Sequence, residues 1–150
     1  MNRPLLAALL FLHSKMSAGL PPSTAAAAAK YMPGVTWRPK SVVAADFTCQ
    51  GRTQRAILGT NAEDIVIAVF LSGTSKPPEI LRYSASVRKA ANAVLRIEDS
   101  DFDPLADLGY ALHGFRRSRT CKGLNLSDDD TDSAHIYWNH DARRFDDWSL

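Results

Sequence analysis

Residues 63–71 are apolar at nearly every position. Ile65, Ile67, Val69 and Leu71 fall on one side of an extended chain, and Val66, Ala68 and Phe70 on the other. A strand apolar on both faces belongs in the middle of a sheet, covered from two directions. Shorter apolar runs flank it. Residues 42–47 and 56–58 are strand-like and separated by a Gln50-Gly51 turn, and Gly59 with Asn61 marks the next turn. Residues 79–83 and 123–126 read as further strands. Residues 84–98 are the helical candidate, because Val87, Ala90, Ala91 and Val94 recur at helical spacing while Arg88, Lys89, Asn92 and Arg96 fall elsewhere. Ser84 or Ser86 would cap it. Residues 99–107 read as an acidic loop broken by Pro104, and residues 127–132 as a polar turn. The pattern predicts a mainly β (α+β) fold: a small antiparallel β domain with one short helix.

Residues 134–148 read as a closing hairpin. Ala134, Ile136 and Trp138 alternate onto one face, and residues 139–142 are rich in turn formers. Pairing Asn139 with Ala142 would set Ile136 opposite Phe145 and Trp138 opposite Arg143. The aromatic side chains Tyr137, Trp138, Phe145 and Trp148 are then read as core rather than as a sugar- or peptide-binding platform.

The N-terminus changes the picture from fold to compartment. Arg3 precedes an unbroken apolar run over residues 5–12, too short to span a bilayer, and small-residue sites follow at Ser17-Ala18-Gly19 and Ala27-Ala28-Ala29. This is the plan of a secretory signal peptide. The expected organisation is a signal over residues 1–29, a linker over 30–42 with Trp37 folding back, and one β-rich domain over 43–150. The expected location is periplasmic or secreted, with no transmembrane segment after signal removal. Hydrophobic residues make up 45% of the 150-residue chain and charged residues 23%, an ordinary globular balance. Of the 18 basic residues, Arg3 and Lys15 fall in the leader, and 16 acidic residues oppose the rest. A domain so close to neutral gives no global reason to expect nucleic acid. In an oxidising compartment the two cysteines, Cys49 and Cys121, have only each other as internal partners, so a Cys49–Cys121 disulfide is expected.

The stretch Asp46-Phe47 followed by Gly51-Arg52 and Ala56 resembles the strand–loop–strand of FG-GAP or VCBS-type repeats. The C-terminal run, residues 121–140, is similar to small exported bacterial proteins of uncharacterised activity. The repeat resemblance implies a β-hairpin whose loop binds calcium through alternating oxygen ligands. Here the alternate positions are Asp46, Thr48, Gln50, Arg52 and Gln54, with one carboxylate and one positive charge. Calcium takes about six to eight hard oxygen ligands. This loop is therefore not expected to hold it, and Cys49, inside the loop, is placed for a disulfide to do the pinning instead.

Other candidate chemistry is sparse. Asp128, Asp129, Asp130 and Asp132 gather charge without the alternation and terminal glutamate of an EF-hand. Asp99, Asp101 and Asp103 do alternate, in a loop that Phe102 and Pro104 suit for packing. His135 and His140 are an odd number of residues apart and point to opposite faces of a strand, so they do not chelate together. No nucleophile elbow, HExxH or P-loop accompanies His135. Arg116, Arg117, Arg119 and Lys122 form a basic cluster around Cys121, with internal neutralisation by later acidic residues the simplest expectation. The leading reading is a non-catalytic exported binding or structural module. Its expected partner is another envelope or extracellular protein, with no cofactor, metal or nucleic acid. The alternative is a hydrolase or metal-dependent enzyme with a site near His135 and the acidic residues Asp128, Asp130 and Asp132.

Overall fold

The structure, a computed structural model, describes residues 22–98 and 103–149. In chain order its elements are α1 (Thr24–Tyr31), β1 (Thr36–Trp37), β2 (Val43–Ala45), β3 (Gln54–Thr60), β4 (Asp64–Phe70) and β5 (Glu79–Ser84), then β6 (Val94–Ile97), α2 (Pro104–Leu108), β7 (Leu124–Ser127), β8 (Ala134–Asn139) and β9 (Arg144–Trp148). Short 3₁₀ turns lie at Pro39–Ser41 and Ala90–Asn92. One sheet runs β1-β3-β4-β5, with β2 sharing the β1 edge of β3; the other runs β6-β7-β8-β9. All pairings are antiparallel. The mainly β, disulfide-stapled class expected from the sequence is the one the chain adopts.

Strand β4 sits between β3 and β5, and both its faces are buried, as its two-sided apolar pattern requires. Ile65, Ile67 and Val69 point into a core shared with Leu95, Leu124, Leu126, Ile136 and Phe145 of the second sheet. Ala68 and Phe70 point the other way, onto Ala27 and Ala28 of α1. The alanine run thus forms a helix with a face to bury. It lacks an amphipathic stripe, but its small side chains let the helix lie close on Ile57, Ala68 and Phe70. Ser23 caps it, its Oγ accepting from the Ala26 amide at 3.2 Å.

Residues 30–42 are part of this layer, so the linker expected there is corrected. Val35 is buried, and Trp37 folds back, pairing with Gly59 in β1 and donating its Nε1–H to the Met32 carbonyl at 3.3 Å. Gly59 is required at that crossing: a Cβ there would lie 2.5 Å from Val35 Cγ1 and 2.7 Å from Trp37 Cε3. Arg38 then ties the two sheets together, donating to the Ala93 carbonyl at 2.7 Å and the Ala90 carbonyl at 2.5 Å.

The helix expected over residues 84–98 is also corrected. One turn starts, with the Val87 and Arg88 amides on the Ser84 carbonyl, and then breaks into a 3₁₀ turn and strand β6. Half of its helical stripe is alanine, and Val87 remains 70% exposed, so the stripe has little area to bury as a helix. Residues 94–97 instead pair with β7 and bury Leu95 between the sheets. Within the expected acidic loop, Pro104 starts α2 rather than merely breaking the chain. It stands in the first turn, and Asp103 caps the Leu105 amide at 3.1 Å.

The last hairpin forms with a longer turn than expected. The closing pair is Asn139 with Arg144, so Trp138 faces Phe145 and Ile136 faces Asp147. The Asn139 side chain accepts from the Asp141 and Ala142 amides at 3.0 and 2.9 Å, and Arg143 adopts φ 54°. Four turn residues thereby replace two. Trp138 packs edge-on against Phe145 at 5.1 Å and is only partly buried.

Candidate functional site

Strand alternation in β8 and β9 divides the C-terminal aromatics into two groups. Trp138 and Phe145 turn inward; His135 pairs with Trp148 on the outer face, where Tyr137 also lies. The connection from β6 to β7 folds over this outer face. Phe115 meets the Tyr137 ring edge-on at 5.7 Å, and the Tyr137 hydroxyl donates to the His113 carbonyl at 3.1 Å. Gly114 carries φ 68°, and a Cβ there would lie 1.9 Å from Asn139 Oδ1, so the connection seats directly on the turn that Asn139 organises. A groove remains between the connection and the sheet. Its walls include Phe115, Tyr137 and Trp148, its cations Arg116 and Lys122, and His135 lines it as well. It offers about 60 Å³ to the centres of water-sized molecules.

His135 is held from two sides in this groove, by Glu98 and by Trp148. Its Nδ1 lies 2.8 Å from Glu98 Oε2, and a carboxylate only accepts, so Nδ1 carries the proton. The Asn125 amide donates to the same Glu98 oxygen at 3.4 Å. Trp148 stacks on the imidazole with ring centres 4.2 Å apart and planes 18° apart. A carboxylate-fixed imidazole is half of a general-base system. Ser118, the serine lining the groove, accepts from the Thr120 and Cys121 amides at 3.2 Å each, which draws electron density away from its oxygen. Cys49 and Cys121 are joined to each other, with Cα atoms 4.9 Å apart. The disulfide suits an oxidising setting.

The charge of the groove is positive. Arg117 pairs with Asp103 at 3.1 Å, but no carboxylate of the described residues pairs with Arg116 or Lys122. Burial and then the neighbouring Arg116 hold His140 below the usual imidazole range, with Asp141 opposing, so His140 adds little charge at neutral pH. Burial, reinforced by Asp146 and Asp147, raises the Tyr137 phenol, which stays protonated.

The internal neutralisation expected for this basic cluster goes elsewhere. Asp130 pairs with Lys89, Asp129 accepts from Asn92 at 2.7 Å, and Asp128 faces Arg88 at 3.8 Å. Asp128, expected in a solvated turn, has no exposed side-chain surface. It accepts from the Asp130 and Thr131 amides at 2.9 and 2.7 Å and from the Thr131 hydroxyl. Asp132 is exposed and stands apart from His135, which faces Glu98 instead. Asp46 closes the first hairpin loop, accepting from the Thr48, Gln50 and Gly51 amides at 3.3, 3.1 and 2.6 Å. Asp99 and Asp101 lie outside the described residues. Among the described residues no three His, Cys, Asp or Glu side chains gather as a metal site, and no helix is long and apolar enough to cross a membrane.

The carboxyl of Asp128 carries a pH prediction. Burial alone would raise its pKa, but the Asp130 amide, the Thr131 hydroxyl and amide, and the Arg88 charge together lower it below the usual carboxylate range. A depressed folded pKa contributes stability that is present above the unfolded value near 4 and is lost as pH falls toward the folded value. Urea melts through this acid range should show wild type losing stability more steeply than Asp128→Asn. Parallel profiles would count against the assignment.

Glu98 and Trp148 were not legible as partners of His135, from which they are separated by 37 and 13 residues. The available signal was the alternation in 134–139, which places His135 and Tyr137 on the face opposite Ile136. No family model, curated protein or solved structure matches this chain.

Proposed function

We propose that this is an exported, non-catalytic binding module, acting in the periplasm or outside the cell, whose ligand site is the groove over the outer face of the second sheet. One observation carries the reading: aromatic walls and the cations Arg116 and Lys122, without carboxylate partners among the described residues, converge on one concave site. Convergent apolar and polar groups in a cleft are the usual signature of a binding site. The disulfide supports export, as does the signal-like leader. In the Asp46 loop, whose sequence resembles an FG-GAP hairpin, the carboxylate is engaged by backbone amides.

A photo-crosslinking side chain at His113 or Arg119, both exposed and within two residues of groove-lining positions, tests the site in the host envelope. Adducts should form there and not from Lys40 on the β1–β2 connection. Equal labelling from all three positions, or none, overturns the reading. The Glu98–His135 pair favours one second reading, a hydrolase with His135 as base. Turnover of ester or amide substrates that disappears in both His135→Ala and Glu98→Gln would establish it in place of the first.

The leader carries its own prediction. The small-residue sites of the leader put signal cleavage between residues 19 and 30. Ser23 caps α1, and Ala27 and Ala28 are core, so processing that preserves the domain must occur before Ser23. Mass spectrometry of protein from its own host should find a first residue between 19 and 23. A start at Lys30, or intact protein beginning at Met1 or Asn2, would refute it.

A further inference from the structure

The groove is small for a site that swallows its ligand whole. Pockets for small organic ligands commonly offer about 300–1,000 Å³ and enclose most of the ligand. This one offers about 60 Å³, room for one side chain or a few waters. Its polar character is graded outward. The His135–Glu98–Asn125 cluster is largely shielded, whereas Arg116 is exposed and Lys122 half-buried. An aromatic anchor slot bordered by cations that have no carboxylate partner among the described residues is the anatomy of a protein–peptide contact, in which one side chain is seated and charged neighbours line the rim.

We infer that the groove docks an acidic segment of another polypeptide, one apolar or aromatic side chain entering between Phe115, Tyr137 and Trp148 while flanking carboxylates meet Arg116 and Lys122. The inference rests on the groove reading above and adds the class of ligand. Charge complementarity selects the partner. Asp128, Asp129 and Asp130 of this chain's own acidic turn are already engaged by Arg88, Asn92 and Lys89, while the groove's Arg116 and Lys122 have no carboxylate partner among the described residues. His140 stays largely neutral there, so Arg116 and Lys122, with Arg117 held by Asp103, set the sign.

Three short peptides test this against the oxidised full chain: a central tryptophan flanked by glutamates, by glutamines, or by lysines. Amide shifts in ¹⁵N-labelled protein report the site. The glutamate peptide should perturb residues 115–123 and 135–148 and bind about tenfold more tightly than the glutamine peptide at low salt, the advantage shrinking as salt rises. The Arg116→Glu/Lys122→Glu protein should lose that advantage while keeping the wild-type urea midpoint, since neither side chain is core. Equal binding of the glutamate and glutamine peptides at the groove overturns the acidic class and leaves the groove reading standing, as does preference for the lysine peptide. No groove shift with any peptide overturns peptide docking; the crosslinking experiment then decides the groove reading separately. A double variant that binds the glutamate peptide like wild type overturns the role of the two cations.

Discussion

Replacing both Cys49 and Cys121 with serine should remove about 4 kcal/mol of stability. The disulfide joins residues 72 positions apart, and in the chain-entropy model a crosslink over a loop of that size restricts the unfolded chain by about this much. The native contacts around it are additional. The Lys122 amide donates to the Asp46 carbonyl at 2.9 Å, so the loop after β2 and the segment before β7 meet even without the sulfurs. Folding is therefore expected to survive, weakened. A domain of this kind has about 5–15 kcal/mol in all, so the loss is a large fraction. With a urea slope of about 1.5–2 kcal/mol/M, the midpoint should fall by about 2–3 M. A fall below about 0.5 M would show that the unfolded chain is not what the bond restrains. The double variant is the correct comparison, because either single variant leaves a thiol free to form dimers.

Phe47→Ala should cost about 3–5 kcal/mol, the range for deleting a buried aromatic ring. Phe47 is 1% exposed and lies in the core between the sheets. It cannot withdraw easily, because its backbone is held. Its amide donates to Gln54 Oε1 at 2.8 Å, and Gln54 Nε2 donates to the Thr48 hydroxyl at 2.6 Å, in a network that is itself buried. Phe47 also lines the groove. Phe47→Leu should cost much less, because a branched aliphatic refills part of the space. Urea melts of the two variants check this; equal, small losses from both would place Phe47 outside the core. Phe47 and Cys49 share one loop, so the Phe47→Ala and disulfide losses should not add, and a double-mutant cycle would measure the difference. Trp138→Ala, by contrast, should fall short of the full core cost, since the longer turn leaves Trp138 only partly buried.

His135 and its surroundings show where local reasoning stops. Alternation around Ile136 placed His135 on the opposite face, toward a groove, and that face is where it lies. What else occupies the face follows from a connection that begins at Glu98, passes through α2 and returns at Gly123. Nothing in the spacing of Glu98, Arg116 or Trp148 encodes their convergence, because residues far apart in sequence are brought together by the order of strands and not by any local period. The same holds for Asp128. Consecutive aspartates read as a solvated turn until Arg88 and Thr131 are seen to enclose the first of them.

The sequence by itself determined the features with a local physical cause. A strand apolar on both faces had to be central, as β4 is, because neither face tolerates water. Two cysteines in one small domain had only each other. Alternation in residues 134–138 determined which side chains of β8 turn inward. The tertiary structure decided the features whose energy depends on a distant surface. Alanines 25–29 become a helix with one buried face because β3 and β4 present a surface that Ala27 and Ala28 fit closely, whereas the better helical spacing in residues 84–98 yields to strand pairing, which buries Leu95 and gives the backbone of residues 94–97 its partners on β7. The turn of the last hairpin took four residues because the Asn139 side chain supplies the acceptor its amides need. The groove exists because the β6–β7 connection, seated against Asn139 at Gly114, covers only part of the second sheet.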